Sequence, residues 1–392
     1  MTQSSPPAPG RSRHLGYQPA LDGMRGVAVS LVVLIHTVGW PRGGYLGVDI
    51  FFALSGFLIT VLLLQEWEAH ADISLKAFYL RRVFRLVPAL VVTVAVYLVI
   101  VTVNAFMGNQ VGFSGAESNN VIGALLGPLY VQNIAVAWDL PWQGELTHLW
   151  SLATEEQFYL LWPLSILMLL RAGMSRTSVR RLLVALVVAI FCWRWIAVSI
   201  GVSARHLFFG PDMRFDSILV GCIAGMTFGS PARRRLQARS MRRLAMVACV
   251  ILALPIVLSP DGHDLSSLGY LYRGWFTLIA VAATIIVVAC VEDPAAPLTR
   301  LLSNRHLVFL GRLSYSLYLW HVLVIYVVIR AATVAFGPGW GEGNLLLAVI
   351  EIPLSIAAAY ASYRYVELPF LRRKRKYEVR GRGQAVPEIH AV

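Results

Sequence analysis

Charged residues and cysteines are both scarce in this chain. Of its 392 residues only 14% are charged and only 4 are cysteine, whereas 57% are hydrophobic. A soluble globule with this balance would carry far more apolar surface than it could bury. The cysteines fall inside apolar runs without CxxC spacing, which argues against a disulfide framework and against a metal site. The composition therefore predicts a polytopic membrane protein without a bound metal.

Signatures of nucleotide binding and of internal repeats are also missing. No GxGxxG or GxxxxGK[ST] motif stands at a strand-to-helix junction, and no repeat period is visible. The net charge of +13 would suggest nucleic acid as partner of a soluble chain, but the basic residues collect in short stretches between apolar runs. That distribution follows the positive-inside rule. We therefore expect membrane lipid as a partner and no nucleic acid.

Apolar runs long enough to cross a bilayer recur along the whole chain. A membrane-spanning helix needs about 20 apolar residues, and about ten runs approach that length. They predict an all-α transmembrane helix bundle of about ten spans. The runs lie at residues 23–41, 46–65, 86–106, 147–170, 181–200, 212–229, 243–259, 270–291, 309–334 and 345–366.

A further apolar patch at residues 121–137 is ambiguous, because it could span or re-enter the membrane. If it spans, the arginine-rich loop at 171–181 faces outside; if it stays on the outer side, every arginine-rich connection falls inside. We therefore expect the patch to be re-entrant or interfacial, and both termini to be cytoplasmic.

Three segments divide the chain. We expect a disordered N-terminal segment at 1–16, a transmembrane domain at 17–370 and a basic cytoplasmic tail at 371–392. The first apolar run lacks a small-residue cleavage site and should be retained as a span. The tail is polar and basic, so it is expected to stay near anionic lipid headgroups. The predicted location is a cell membrane, of the bacterial inner or plasma type.

Ionisable side chains share one face of the first apolar run. His36 follows Arg25 by eleven residues, and eleven steps of 100° come within about 20° of three helical turns. Asp22 stands three residues before Arg25, close enough to pair with it. Ionisable groups inside a span indicate a functional site by default. The alternatives are an interfacial charge pair and an interior histidine bonded to a neighbouring helix.

Asp49 opens the second apolar run, within GVDIFFALSGFLIT. From there it could face His36 across a short turn and fix the tautomer of the imidazole, as a carboxylate partner does for a catalytic histidine. Gly47, Ser55 and Gly56 in the same run are small residues that let helices approach closely.

Paired arginines stand at the expected cytoplasmic border of the third run. Arg82 and Arg85 lie three residues apart in RRVFRLVPAL, and their forked donors suit the phosphate oxygens of an activated donor. The alternative is topology alone, since arginine at this border orients helices anyway.

A polar block interrupts the span that begins near residue 147, in HLWSLATEEQFYLLWP. His148, Ser151 and Glu155 recur at i, i+3 and i+7 and can line one wall of a cavity. Glu156 and Gln157 add two polar groups to a helix that would otherwise suit lipid. A purely structural role explains such a block poorly, so we predict that it contributes to a site.

Two later segments carry further polar groups in helical register. Arg214 and Asp216 open the run that begins MRFDSILVG, and Ser314, Tyr318 and His321 recur in GRLSYSLYLWH. Hydroxyls, carboxylates and aromatic faces are what saccharide recognition uses. Tyrosine and tryptophan are also ordinary anchors at the membrane interface, and this alternative stays open for the tyrosines.

Seven of these segments, taken in order, resemble the integral-membrane acyltransferase type 3 family. They are LDGMRG with the histidine eleven after its arginine, GVDIFFALSGFLIT, RRVFRLVPAL, HLWSLATEEQFYLLWP, MRFDSILVG, SYSLYLWH and YRYVELPF. The resemblance extends over nearly the whole chain. It implies transfer of an acyl group, often acetyl from acetyl-CoA, to a hydroxyl of a saccharide, a glycolipid or a glycosylated natural product.

The motif matches imply roles for individual residues: His36 as the catalytic histidine, Arg25 below it, and Glu156 at the family's acidic position. No bound cofactor is expected, and acyl-CoA is expected as a co-substrate. Together with the residues singled out above, the catalytic candidates are Asp22, Arg25, His36, Asp49 and Glu156, the donor-binding candidates are Arg82 and Arg85, and the acceptor-binding candidates are His148, Glu155, Arg214, Asp216, Tyr318 and His321.

Two departures from the family pattern qualify these roles. The family often has a proline shortly after the tryptophan and histidine pair, whereas Val322 and Leu323 follow His321 here, which leaves a purely structural role open for that histidine. Some members also carry a C-terminal hydrolase-like domain that acts on the acceptor side. This sequence ends soon after its last span, so we expect the membrane core to handle the acceptor.

Two mechanisms fit the residues equally well at this point. Neutral His36 could deprotonate the acceptor hydroxyl as it attacks the thioester, which contributes roughly 10² to 10⁴ in rate. Alternatively His36 could carry the acyl group covalently from donor to acceptor. A different class, a flippase or permease for a polar lipid or saccharide, would also place arginine, glutamate and histidine along a central cavity, but it should partly survive replacement of His36.

Overall fold

The computed structural model describes residues 14–106, 117–142, 144–229, 238–260 and 264–372. Every regular element within these ranges is a helix, which confirms the all-α class. The α-helices are α1 (Pro19–Val38), α2 (Gly47–His70), α3 (Leu75–Phe106), α4 (Glu117–Leu126), α5 (Gln132–Ala137), α6 (Trp150–Arg171), α7 (Arg176–Ser199), α8 (Ala204–Phe209), α9 (Pro211–Thr227), α10 (Ala238–Leu258), α11 (Phe276–Glu292), α12 (Pro297–Leu302), α13 (Arg305–Arg312), α14 (Ser314–Phe336) and α15 (Leu345–Ser362).

Eight helices in the described ranges are long and apolar enough to cross a membrane, so the chain is a multi-pass membrane protein. A helix stands at each of the ten predicted runs, but α6 and α9 are not among the eight. Helix α9 has only 17 residues. Helix α6 has 22 residues, among them the polar block at 155–157.

The patch at residues 121–137 breaks into two short helices. Helix α4 has 10 residues and α5 has 6, so at 1.5 Å per residue neither reaches more than about 15 Å. Reciprocal amide hydrogen bonds of 2.8 and 2.9 Å between Asn133 and Gln157 tie α5 to α6. Neither helix is long enough to span alone, as expected for a segment that stays on one side.

Helix α2 lies at the centre of the bundle. Of the apolar 18-residue stretch in the span that contains α2, 89% is buried within the protein, compared with 17% for the stretch in α7 and 28% for that in α10. Helices α7 and α10 therefore form part of the lipid-facing periphery. Helices α1, α6, α9 and α11 all contact α2.

The expectations for the chain ends fall almost entirely outside the described residues. Of the N-terminal segment at 1–16 only residues 14–16 are described, and of the tail at 371–392 only residues 371 and 372. Tyr17, at the start of the described domain, donates a hydrogen bond of 2.9 Å to Asp22.

Glycines bring α2 and α9 into close contact. A Cβ atom on Gly56 would lie 2.0 Å from the carbonyl oxygen of Ile218, and one on Gly221 would lie 2.2 Å from that of Ala53. Backbone atoms cannot yield as a flexible side chain can, so only glycine fits at these crossings. The sequence analysis identified Gly56 as a small contact residue, and the structure confirms it.

We expect Gly56→Ala to destabilise the bundle by about 1–3 kcal/mol or more, because the added methyl group overpacks a backbone contact. Thermal unfolding of the purified protein in detergent measures the loss as a lower Tm. Gly341→Ala is the matched control, since a Cβ there meets nothing within 4 Å. An unchanged Tm for Gly56→Ala would show that α2 and α9 do not pack this closely.

Candidate active site

Three histidines converge inside the bundle. His36 comes from α1, His148 from the 3-10 turn Glu145–Leu149 before α6, and His321 from α14. The ring centroids of His36 and His321 are 5.3 Å apart, and those of His148 and His321 are 5.4 Å apart. The rings of both pairs are nearly perpendicular, at 75° and 78°. The sequence singled out all three residues but did not predict that they form one cluster, because each belongs to a different motif.

The hydrogen-bond partners of the rings define their tautomers. Nδ1 of His36 lies 2.7 Å from the carbonyl oxygen of Val32, and Nδ1 of His321 lies 2.8 Å from that of Tyr318. A carbonyl oxygen can only accept, so each Nδ1 carries the proton and each Nε2 keeps a lone pair. His36 is partly exposed, whereas His321 is completely buried. His36 can therefore offer a basic nitrogen to a reacting group.

Tyr318 and Ser151 hold the wall next to the histidine cluster. The hydroxyl of Tyr318 donates to the backbone carbonyl of His148 and lies 2.7 Å from the hydroxyl of Ser151. The ring of His148 lies 5.6 Å from that of Tyr318. The structure thus brings together His148, Tyr318 and His321, three of the six predicted acceptor-binding residues.

Asp49 does not support His36, so the predicted pairing is wrong. Its two carboxylate oxygens each accept a hydrogen bond of 2.9 Å from Arg214, and Ser217 donates a third of 3.1 Å. Close packing of α9 on α2 brings the guanidinium to a carboxylate that is 0% exposed. A buried carboxylate requires such a partner, and Asp49 is therefore part of an interhelical ion pair.

Arg214 and Asp216 are likewise not available to an acceptor. Both are buried, and Asp216 accepts a hydrogen bond from Arg194 and one of 2.5 Å from Thr277. The guanidinium of Arg214 lies 3.6 Å from the ring centroid of Phe276. These contacts join α2, α7, α9 and α11 into one ionic cluster. The sequence analysis missed Arg194, although an arginine inside the apolar run 181–200 was a signal of a buried partner.

Arg82 and Glu156 are paired with each other. Nη2 of Arg82 lies 3.1 Å from Oε1 of Glu156, and its guanidinium lies 3.2 Å from the ring centroid of Tyr159. Both were predicted separately, Arg82 for the donor and Glu156 for catalysis. The ion pair already balances the charge of Arg82, because α3 and α6 lie side by side at this level.

Arg85 is the paired arginine whose charge stays uncompensated at short range. Among the described residues none accepts a hydrogen bond from its side chain, although Arg25 and Glu367 act on it electrostatically. Arg25 lies 3.4 Å from Asp22, which confirms the pair predicted in the first helix. The guanidinium of Arg85, without a hydrogen-bonding acceptor of its own, makes this region attractive to an anion.

Glu155 bridges helices and does not line the histidine cluster. It accepts hydrogen bonds from Ser55 of α2 and, at 2.8 Å, from Tyr159 of its own helix. Its predicted acceptor-binding role is therefore not supported by its contacts. The i+7 spacing assumed one continuous helix from His148 to Glu155, whereas His148 lies in the 3-10 turn and α6 begins only at Trp150.

The arginines and the histidine cluster lie at two levels along α14. The hydroxyl of Tyr315 donates a hydrogen bond of 2.7 Å to the carbonyl oxygen of Leu86, the residue after Arg85. His321 stands six residues further along α14, about 9 Å at 1.5 Å per residue. An anion held at Arg85 would therefore lie within reach of a group that reacts at His36.

The described residues contain no group of three or more histidine, cysteine, aspartate or glutamate side chains that could hold a metal ion. Fold and site together define a multi-pass helical membrane protein with a basic imidazole inside the bundle. The model of the Acyltransferase domain family matches residues 18–364. The chain belongs to this family, which confirms the resemblance seen in its motifs.

Named relatives share the same region. The chain is 30% identical over 364 residues to the peptidoglycan O-acetyltransferase OatA of Listeria monocytogenes. The aligned region covers 90% of this chain and 56% of that protein. It is 31% identical over 364 residues to the O-acetyltransferase OatA of Staphylococcus aureus. That alignment covers 91% of this chain and 58% of the relative. The chain thus spans somewhat more than half the length of these relatives. No solved structure matches it.

Proposed function

We propose that the protein is a membrane-embedded O-acyltransferase that moves an acyl group, acetyl from acetyl-CoA, to a hydroxyl of a saccharide, glycolipid or glycosylated natural product. The observation that carries this proposal is His36. Its Nδ1 is held by a backbone carbonyl at 2.7 Å, which leaves Nε2 basic and partly accessible inside the bundle. The two relatives are named O-acetyltransferases, one of them for peptidoglycan, which favours a saccharide acceptor.

For the donor, we propose that Arg85 binds the phosphates of acyl-CoA. Its guanidinium has no hydrogen-bonding acceptor among the described residues, and a phosphate would supply one. Arg25 lies nearby, with its charge paired to Asp22. Arg82 is held by Glu156, and its part is to keep this end of the α3 and α6 pair in place.

The chemistry balances with the residues of this chain. The acceptor oxygen forms a bond to the acyl carbon, the bond from that carbon to the sulfur of CoA breaks, and the hydroxyl proton moves to Nε2 of His36. His36 then returns the proton to the thiolate that leaves. In the covalent variant Nε2 attacks the acyl carbon and the CoA thiolate leaves. The acceptor oxygen then bonds to the acyl carbon, the bond from that carbon to Nε2 breaks, and the hydroxyl proton goes to the thiolate. Both routes place a positive charge on the imidazole.

For the topology, we propose ten spans with both termini in the cytoplasm. Helices α6 and α9 would cross as well, because their polar side chains point to partners within the bundle and their lipid-facing residues are apolar. The clustering of arginine in alternate connections supports the orientation. Under this topology Arg85 approaches the site from the cytoplasmic side.

Transfer of label from [¹⁴C]acetyl-CoA tests the proposal. Membranes with the wild-type protein are incubated with the label, and cell-surface glycans and lipids are extracted and counted against membranes without it. Alkali-labile label in a glycan or glycolipid fraction is the expected result. If correctly inserted protein labels no fraction from acetyl-CoA or from longer acyl-CoAs, the acyltransferase proposal is wrong. A flippase or permease would then have to be reconsidered, although neither the family nor the named relatives support it.

We expect Arg85→Gln to raise the KM for acetyl-CoA by about 10- to 100-fold, because a hydrogen bond to a charged group is worth about 1.5–3 kcal/mol. The kcat at saturating donor should change little. Arg81→Gln is the matched control, since Arg81 lies at the border and contacts Glu66 at 3.6 Å. Equal KM values for all three proteins would contradict the role of Arg85.

A further inference from the structure

We infer that His321 is a positioning residue whose Nε2 lone pair stabilises the positive charge that His36 acquires during acyl transfer. This inference rests on the proposed function, in which His36 takes up the hydroxyl proton or the acyl group. It assigns a role to a buried imidazole that the sequence analysis expected to touch the acceptor or to be only structural.

The contacts of His321 argue against direct binding of a ligand. It is 0% exposed, so an acceptor cannot reach it in this conformation. Its Nδ1 is used by the carbonyl oxygens of Leu317 at 3.2 Å and Tyr318 at 2.8 Å. Its Nε2 is buried and has no hydrogen-bonding partner among the described residues. A buried lone pair without a partner requires an explanation.

The ring of His36 lies directly beside that of His321. The two rings meet edge to face, with centroids 5.3 Å apart and planes at 75°. Between two neutral imidazoles this contact contributes little. Once His36 becomes an imidazolium, its positive ring lies beside an electron-rich group in a low-dielectric interior, where such an interaction is strong.

The carboxylate expected for this task is engaged elsewhere. Asp49, the expected partner, is bound by Arg214, and the Nδ1 proton of His36 goes to the carbonyl oxygen of Val32. The titratable groups that act electrostatically on His321 are His36 and His148. A neutral imidazole therefore stands where a catalytic histidine is often supported by a negative charge.

His148 is a second histidine beside His321, and its presence disfavours another positive charge in the cluster. Its ring is buried and lies 5.4 Å from that of His321 and 5.6 Å from that of Tyr318. A second positive charge in this cluster would be repelled by the first. The proton taken up by the partly exposed His36 therefore stays on His36, from where it can return to the thiolate.

Three substitutions separate this role from the alternatives. His321→Gln keeps a hydrogen-bond acceptor near the position of Nε2 but cannot take a proton, and His321→Phe keeps the shape of the ring without the lone pair. We expect His321→Phe to lower kcat about 10- to 100-fold with little change in KM, and His321→Gln to stay within a few-fold of wild type. His306→Phe, at an exposed histidine, is the control.

The outcomes are decisive in both directions. Equal losses for the glutamine and phenylalanine variants would mean that His321 relays a proton, and full activity of the phenylalanine variant would mean that it only fills space. Either result overturns the inference but leaves the proposed function intact. Absence of acyl transfer in the wild type would overturn the proposed function instead. Transfer that survives in His36→Ala would overturn the role of His36, and with it this inference.

A second measurement does not depend on acyl-CoA or on the acceptor. Diethyl pyrocarbonate forms a bond from an imidazole nitrogen to its carbonyl carbon and expels ethyl carbonate, so positive charge develops on the ring as it reacts. Peptide mass spectrometry gives the rate at His36, with His306 as internal reference. We expect the His36 rate to fall about tenfold or more in His321→Phe and to be largely kept in His321→Gln. Equal rates in both variants would refute the stabilising role.

Discussion

Replacement of His36 by alanine is expected to lower acyl transfer by about 10² to 10⁴, the contribution of a positioned general base. The side chain is partly exposed, and its one hydrogen bond is to Val32 of its own helix. Its loss should therefore leave the bundle folded. Transfer of label from acetyl-CoA measures the rate, and size-exclusion elution with thermal unfolding shows that the variant is intact.

His36→Gln serves as the second variant, because glutamine can keep a hydrogen bond but can accept neither a proton nor an acyl group. We expect it to be as inactive as His36→Ala. His306→Ala, at the exposed surface, should have wild-type activity. Substantial activity in both His36 variants would exclude both the general-base and the covalent mechanism.

Arg214→Ala is expected to destabilise the protein by about 3–5 kcal/mol, because it leaves the Asp49 carboxylate buried without its partner. Asp49 and Arg214 are 0% and 1% exposed, and the cluster joins α2 to α9. A loss of this size is a large fraction of the free energy of unfolding of an ordinary domain. We expect a sharply lower Tm and a poor yield of monodisperse protein.

Two controls separate burial of the charge from loss of the arginine as such. Arg205→Ala removes one member of an ion pair with Asp139, whose side chains are 47% and 71% exposed, and should cost no more than about 1 kcal/mol. The double variant Asp49→Leu with Arg214→Leu removes both charges and should be more stable than Arg214→Ala alone. If Arg214→Ala unfolds at the wild-type temperature, the ion pair does not hold α2 against α9.

Local patterns predicted most helices, because each apolar run has the length that a bilayer demands and helical periodicity decides which residues share a face. The pair of Asp22 and Arg25 also followed from spacing alone, and the structure places them 3.4 Å apart. Both inferences concern residues within one helix. No knowledge of helix packing was needed for them.

Partners on different helices could not be predicted in this way. Asp49 was assigned to His36 because a short turn separates them in sequence, but packing of α9 on α2 gives it Arg214. Arg82 and Glu156 were assigned to different tasks because nothing in one chain segment shows that α3 and α6 are neighbours. Polar side chains choose partners by spatial proximity and mutual burial, which the linear sequence does not contain.

The most direct test of acyl transfer through His36 uses purified protein in sealed proteoliposomes. [¹⁴C]Acetyl-CoA is supplied to the face that bears Arg85, the saccharide acceptor fraction to the other face, and ester-linked label is counted after release with mild alkali. Wild-type protein should acetylate the acceptor while His36→Gln does not. If both proteins form the same amount of ester, transfer through His36 is contradicted. The same holds if well-folded wild-type protein forms none.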